Sequence, residues 1–136
     1  MKKILLAIIV VGCFAVSAMA FIKPVDNGPV AEAEGQIVYL MSGKTTTGAG
    51  DAIVVYPAKR TIHAKVEGTG AVTATVRIQV SNDGVTWIDA TATPHIALSG
   101  TTSASDGFVI DAKWAYIRAY VDAISAGAKV TVYLGV

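Results

Sequence analysis

Hydrophobic and polar residues take turns along much of this chain. Over 61–67, Ile62, Ala64 and Val66 fall on one side, with Thr61, His63, Lys65 and Glu67 on the other. Over 72–81, Val72, Ala74, Val76, Ile78 and Val80 alternate with Thr73, Thr75, Arg77, Gln79 and Ser81. Successive side chains of an extended strand point to opposite faces, so a period of two marks a strand with one buried and one wet face. The pattern recurs in 114–121 and 129–136, and shorter β-branched or aromatic runs occupy 36–41, 52–56, 85–93, 96–98 and 107–110. Turn chemistry separates them: Gly68-Thr69-Gly70 predicts a hairpin loop, Asn82-Asp83-Gly84 a tight turn, and 42–51 and 99–106 flexible loops. Turn signals at about 8–12-residue spacing predict an all-β domain, a single β-sandwich or jelly roll of about eight strands over 36–136.

The first twenty residues follow a different rule. Met1-Lys2-Lys3 is a basic start, Ile4 to Val16 is unbroken apolar sequence, and Ser17-Ala18-Met19-Ala20 offers the small residues that signal peptidase reads. The run is shorter than the roughly 20 apolar residues of a permanent span. Residues 1–20 therefore read as an export signal cleaved before Phe21, predicting a periplasmic, extracellular or surface-displayed product with no integral membrane span. Val10-Val11-Gly12-Cys13 also resembles a lipobox, which would leave a lipidated Cys13. That alternative explains fewer residues, because the apolar run continues through Phe14-Ala15-Val16. Residues 21–35, with Pro24, Pro29 and Asn27-Gly28, read as an extended arm. It is either a lead-in that clears the export site or an arm that docks on a neighbouring subunit.

Removing this leader changes the chemistry that remains. The sole cysteine, Cys13, leaves with it, so the domain has no disulfide and must rely on its core. Eleven Lys and Arg against ten Asp and Glu become nine against ten once Lys2 and Lys3 are gone. Neither balance, without any run of like charge, provides the basic field that nucleic-acid binding requires.

Motifs for catalysis and cofactors fail on inspection. Gly43-Lys44-Thr45 lacks the upstream glycine and following helix of a phosphate loop. His63 and His95 have neither cysteine partners nor metal-ligand spacing, no serine sits in a nucleophile elbow, and the aspartates follow no calcium-loop order. The expectation is a non-enzyme with no cofactor and no metal. Two candidate binding surfaces remain. Trp114, Tyr116, Arg118 and Tyr120 share one face of their strand, and a hairpin through 122–128 would set Tyr133 beside them. Aromatics interleaved with Arg supply stacking area and directed donors, which suits a sugar ring or a neighbouring subunit. The packing alternative is that these rings lie under a loop or the arm. The second candidate is the loop carrying Asn82 and Asp83.

The segment Val80-Ser81-Asn82-Asp83-Gly84-Val85-Thr86-Trp87, with Ala115-Tyr116-Ile117-Arg118, resembles discoidin-type galactose-binding-like jelly rolls, which implies sugar or lipid binding at loops. More of the chain is similar to small β-sandwich proteins of tailed-phage and prophage genomes. The similar segments are Arg60-Thr61-Ile62-His63-Ala64, Gly68 to Val72, Ser81 to Trp87, Leu98 to Phe108, Trp114 to Arg118 and Val130 to Val136. Members of that group are uncharacterised and are regarded as virion or accessory components. The export signal departs from their pattern, because virion proteins assemble in the cytoplasm. Three functions follow as expectations. The first is an interaction or decoration module that binds a protein partner or itself, and the second is a carbohydrate-binding adhesion module for a cell-surface glycan. The third, a small secreted hydrolase, has no motif behind it.

Overall fold

The computed structural model describes residues 35–90 and 95–135. The expected export signal with Cys13, nearly all of the expected arm and residues 91–94 lie outside them. The described strands are β1 (Ile37–Lys44), β2 (Gly48–Ala49), β3 (Ile53–Val54), β4 (Ala58–Glu67) and β5 (Val72–Ser81). They continue with β6 (Ile88–Asp89), β7 (His95–Gly100), β8 (Ser103–Ala112), β9 (Tyr116–Ile124) and β10 (Lys129–Gly135). All pairings are antiparallel, and the strands form two sheets. One has the order β1-β10-β4-β8. In the other, β9 pairs with β5, the short β2 and β3 share the far edge of β9, and β6 and β7 share the far edge of β5. The ten strands therefore fill eight positions, four per sheet.

Chain order through those positions is the jelly-roll order. The path runs from β1 to β2/β3 in the opposite sheet, back to β4, across to β5 and its neighbour β6/β7, across to β8, and then through β9 and β10 in alternate sheets. Among the described pairs, only β5 and β6 are consecutive in sequence. The expected all-β sandwich is present, but its connections differ from expectation. The 68–70 turn is a corner that carries the chain from one sheet to the other, with the Gly68 amide donating to the Thr102 carbonyl at 2.9 Å. A four-residue segment reaches about 13 Å, enough to cross the roughly 10 Å between sheets, so a corner and a hairpin need similar loops. The expected 99–106 loop shrinks to Thr101-Thr102, because β8 begins at Ser103 and pairs with β4 over ten residues. At Gly100 any Cβ would collide with the Ser103 carbonyl, so this sharp corner demands glycine.

The alternating aliphatic side chains face inward as expected. Ile62, Ala64 and Val66 of β4 and Val130, Val132 and Leu134 of β10 meet Val76, Ile78 and Val80 of β5 and Ile117, Ala119 and Val121 of β9, all buried. The sheet edges are blunted in separate ways. β2, β3 and β6 are two residues long, and β1 carries two register shifts against β10. In β8, Asp106 falls at an inward position of the alternation yet stays exposed, and it accepts a hydrogen bond from the Gly107 amide at 2.7 Å. Short, bulged or charged edges of this kind resist strand-to-strand aggregation. Leu134 is fully buried at the centre of the sandwich. Leu134→Ala should lower unfolding stability by about 2–5 kcal/mol in urea titrations, as a core cavity of that size costs.

Candidate functional site

The outer face of the six-stranded sheet carries three of the expected binding residues. Tyr116, Arg118 and Tyr120 point outward from β9 between the buried Ile117, Ala119 and Val121, and Asp122 continues the row. Opposite them, β5 presents Arg77 and Gln79, paired in register with Tyr120 and Arg118. The side chains form one connected network. Arg118 Nε donates to Gln79 Oε1 at 3.0 Å, Gln79 Nε2 donates to Asp89 Oδ1 at 3.4 Å, and Arg77 Nη1 reaches Asp89 Oδ2 at 3.5 Å. Arg77 Nη2 also pairs with Asp122, whose second oxygen lies 3.1 Å from His95 Nδ1. Hydrogen bonding to Asp122 raises the Arg77 pKa, whereas burial lowers that of Arg118. The guanidinium carbon of Arg118 sits 4.0 Å from the centre of the Trp87 ring, and that of Arg77 lies 5.0 Å from the centre of Tyr120. Both are cation–π contacts.

The other expected residues go elsewhere. Trp114 precedes β9, packs half-buried against the core, and joins Asn82 and Asp83 in a recess of about 210 Å³ with Val80, Ser81, Thr86 and Ile88. One end of the sandwich thus brings Trp114 and the loop candidate together. Within that loop the Ser81 hydroxyl and one side-chain oxygen each of Asn82 and Asp83 are already engaged. Ser81 is buried, its hydroxyl donating to Asp83 Oδ1 at 2.8 Å and accepting from the Asp83 and Gly84 amides at 3.2 and 2.9 Å. Asp83 Oδ1 also accepts from the Val85 and Thr86 amides at 2.8 and 2.7 Å, while Asn82 Oδ1 accepts from Ala115 N at 3.4 Å. These backbone donors, Thr86 first, hold the Asp83 carboxyl well below the usual carboxylate range.

Tyr133 requires a correction. The chain between β9 and β10 crosses from sheet to sheet, so Tyr133 lies on the opposite outer face from the β9 tyrosines. There it forms a row with Tyr39 of β1 and His63 of β4, its register partners on either side. The Tyr39 and Tyr133 rings are 5.1 Å apart, and those of Tyr133 and His63 stack at 5.4 Å. On the far side of His63 stands Gly107, whose missing side chain leaves a step in the row. A Cβ there would collide with the Ile62 carbonyl. Ile37, Tyr39 and Val109 are 68%, 53% and 65% exposed on this face. Two adjoining depressions of about 440 and 360 Å³ share Ile37, Thr61 and Gly135 as common lining.

The sequence reading missed Tyr39, His63 and Val109 as surface partners of Tyr133, and Arg77, Gln79, Trp87, Asp89 and His95 as partners of Arg118. The signal for Arg77 and Gln79 was available, since both occupy the wet positions of the 72–81 alternation. His63 and His95 lie on opposite outer faces, and among the described residues no three His, Cys, Asp or Glu side chains gather where they could hold a metal ion. Comparison with protein-family models, curated proteins and solved structures found no match to this chain.

Two measurements check the loop. Ser81→Ala should cost about 1–2 kcal/mol of stability, because two amides lose their acceptor. Asp83→Asn keeps an acceptor oxygen but removes the charge. Since folding depresses the Asp83 pKa, its contribution is complete above the unfolded value of about 3.9 and is lost as pH falls towards the folded value. Wild type should therefore melt above Asp83→Asn at neutral pH, and the gap in melting temperature should close in acid below about pH 4.

Proposed function

We propose that this protein is an exported, non-catalytic docking module that associates through the outer face of its four-stranded sheet, first of all with a second copy of itself. One observation carries the reading: the middle of that face has no permanent charge, and its ends carry opposite charges in proximity. Ile37, Tyr39, Thr61, His63, Val109 and Tyr133 fill the middle. At one end Lys59 is the register partner of Asp111, and at the other Lys65 pairs with Glu67 at 2.6 Å, with Lys129 beside Glu67 in register. An aromatic and aliphatic centre inside a charged rim is the anatomy of a protein interface. Near-balanced charge lets the same patch face itself across a two-fold axis without strong repulsion, as an isologous contact requires.

Size fits the same reading. Four strands spaced about 4.8 Å apart and up to ten residues long cover roughly 600 Å², close to the roughly 800 Å² that each partner buries in an ordinary interface. The resemblance to phage and prophage β-sandwich proteins adds a setting, a repeated surface or virion accessory that coats a larger assembly. The export signal favours display on or outside the cell.

Light scattering coupled to size exclusion tests the proposal over a concentration series. The wild-type protein should shift from monomer to dimer or larger species as concentration rises. Val109→Lys and Tyr133→Ala should remain monomeric with melting temperatures within a few degrees of wild type. A wild-type protein that stays monomeric throughout, or variants that associate as it does, would overturn the reading.

A further inference from the structure

Arg118 is held more firmly than its charge partners explain. It is half-buried at the centre of the six-stranded sheet's outer face, yet among the described residues it forms no ion pair. Arg77, its neighbour on the same face, has two carboxylates, Asp89 and Asp122. Arg118 has instead an aromatic face and a neutral amide: Trp87 at 4.0 Å and Gln79 at 3.0 Å. Gln79 is itself oriented, because its amide nitrogen is directed to Asp89 and its carbonyl oxygen is thereby left for Arg118. Only Nε is used in that bond, so the two terminal nitrogens retain their four N–H donors in the planar fork that matches a carboxylate. A partly desolvated cation with no counter-ion is costly to maintain, and a fixed guanidinium fork repays that cost when an anion arrives.

From this arrangement we infer that the outer face of the six-stranded sheet, centred on Arg118 between Tyr116 and Tyr120, binds a carboxylate-bearing saccharide. Three features select that ligand. The first is charge. Arg77 takes both Asp89 and Asp122, so these two arginines and two aspartates sum to zero and, of the four, only Arg118 lacks a direct ion pair; such a site accepts one carboxylate and disfavours a densely charged phosphate polymer. The second is the pair of rings two residues either side of Arg118 along β9, each braced from one side. Tyr116 lies against Gly84, where an added Cβ would sit 3.6 Å from the ring, and Tyr120 lies under Arg77. Rings fixed in this way offer stacking area for sugar C–H faces and hydroxyls for hydrogen bonds at little entropic cost. The third is the backbone. β9 and β5 are inner strands with both edges paired over this region, so an extended peptide finds no free edge to augment.

This site is on the opposite side of the sandwich from the docking face, so the two proposals succeed or fail independently. The test measures binding of the purified protein to tetragalacturonate, oligoguluronate and sialyllactose by titration calorimetry, alongside the methyl ester of tetragalacturonate, neutral galactose oligomers and poly-glutamate. At least one acidic sugar should bind at least tenfold more tightly than the neutral oligomers and poly-glutamate, and for tetragalacturonate esterification should remove that advantage. Arg118→Gln should weaken binding at least tenfold with its melting curve unchanged, whereas Val109→Lys should bind as wild type does. Should Arg118→Gln fail to fold, Arg118→Lys carries the test: it keeps the charge, loses the fork, and should bind more weakly. Failure of wild type to bind any acidic sugar, equal binding of the neutral oligomers, undiminished binding by a folded Arg118 variant, or preference for poly-glutamate would overturn the inference.

Discussion

The structure depends on one interaction, the burial of two aliphatic sheet faces against each other. The two sheets are held by Val, Ile, Leu and Ala side chains that reach the interior from every long strand. With the only cysteine at position 13, ahead of the domain, no disulfide supports these contacts. Each buried apolar side chain contributes about 1.5–3 kcal/mol, and the ordering of the chain opposes nearly all of that sum. The inner positions are therefore constrained, while the outer positions of the same strands are free to carry other chemistry. A period of two separates the two tasks along a single stretch of sequence.

The same period explains how much of the fold is legible in the sequence. Alternation in 61–67, 72–81, 114–121 and 129–135 assigns most inner and outer positions correctly, Ser81 and Trp114 apart, because burial of one face fixes the phase of a strand. It does not tell which sheet a strand joins. Gly68-Thr69-Gly70 and the segment after Ile124 have the small and polar residues that suit either a hairpin or a corner, and here both are corners. That single ambiguity moves Tyr133 from one outer face to the other. β8 is hidden for a related reason. Its Ser103, Ser105 and Gly107 face solvent at a sheet edge, where little burial is available to leave an apolar signature, and it gains its pairing from β4.

The candidate sites follow the same division. Asn82 and Asp83 are visible as turn-formers, and each proves to be holding backbone amides, Asp83 those of Val85 and Thr86 within its turn and Asn82 that of Ala115 ahead of β9. The Arg118 network is only half visible. Its β9 members stand in one alternating run and Asp89 follows the 82–84 turn in the consecutive pair β5–β6, whereas His95 on β7 and the β9 row itself meet β5 from farther along the chain. Long-range pairing of that kind has no local sequence signature. It is also the rule in this topology, where a single described pair joins consecutive strands.

The two outer faces differ in a way that bears on how such a module would work. On the six-stranded side, charges are drawn into a connected network that fixes Arg77, Gln79 and Arg118 in place, which suits recognition of a small polar group by geometry. On the four-stranded side, the charges are pushed to the ends and the centre is left aromatic and aliphatic, which suits broad contact with another surface. A protein that docks by one face must present its recognition chemistry on another, or assembly would bury it. A jelly roll with blunted edges separates these faces by the full thickness of its core, so occupation of one leaves the other open. Repeating the module on an assembly would then multiply weak single-site binding, since linked sites gain effective concentration without any new contact.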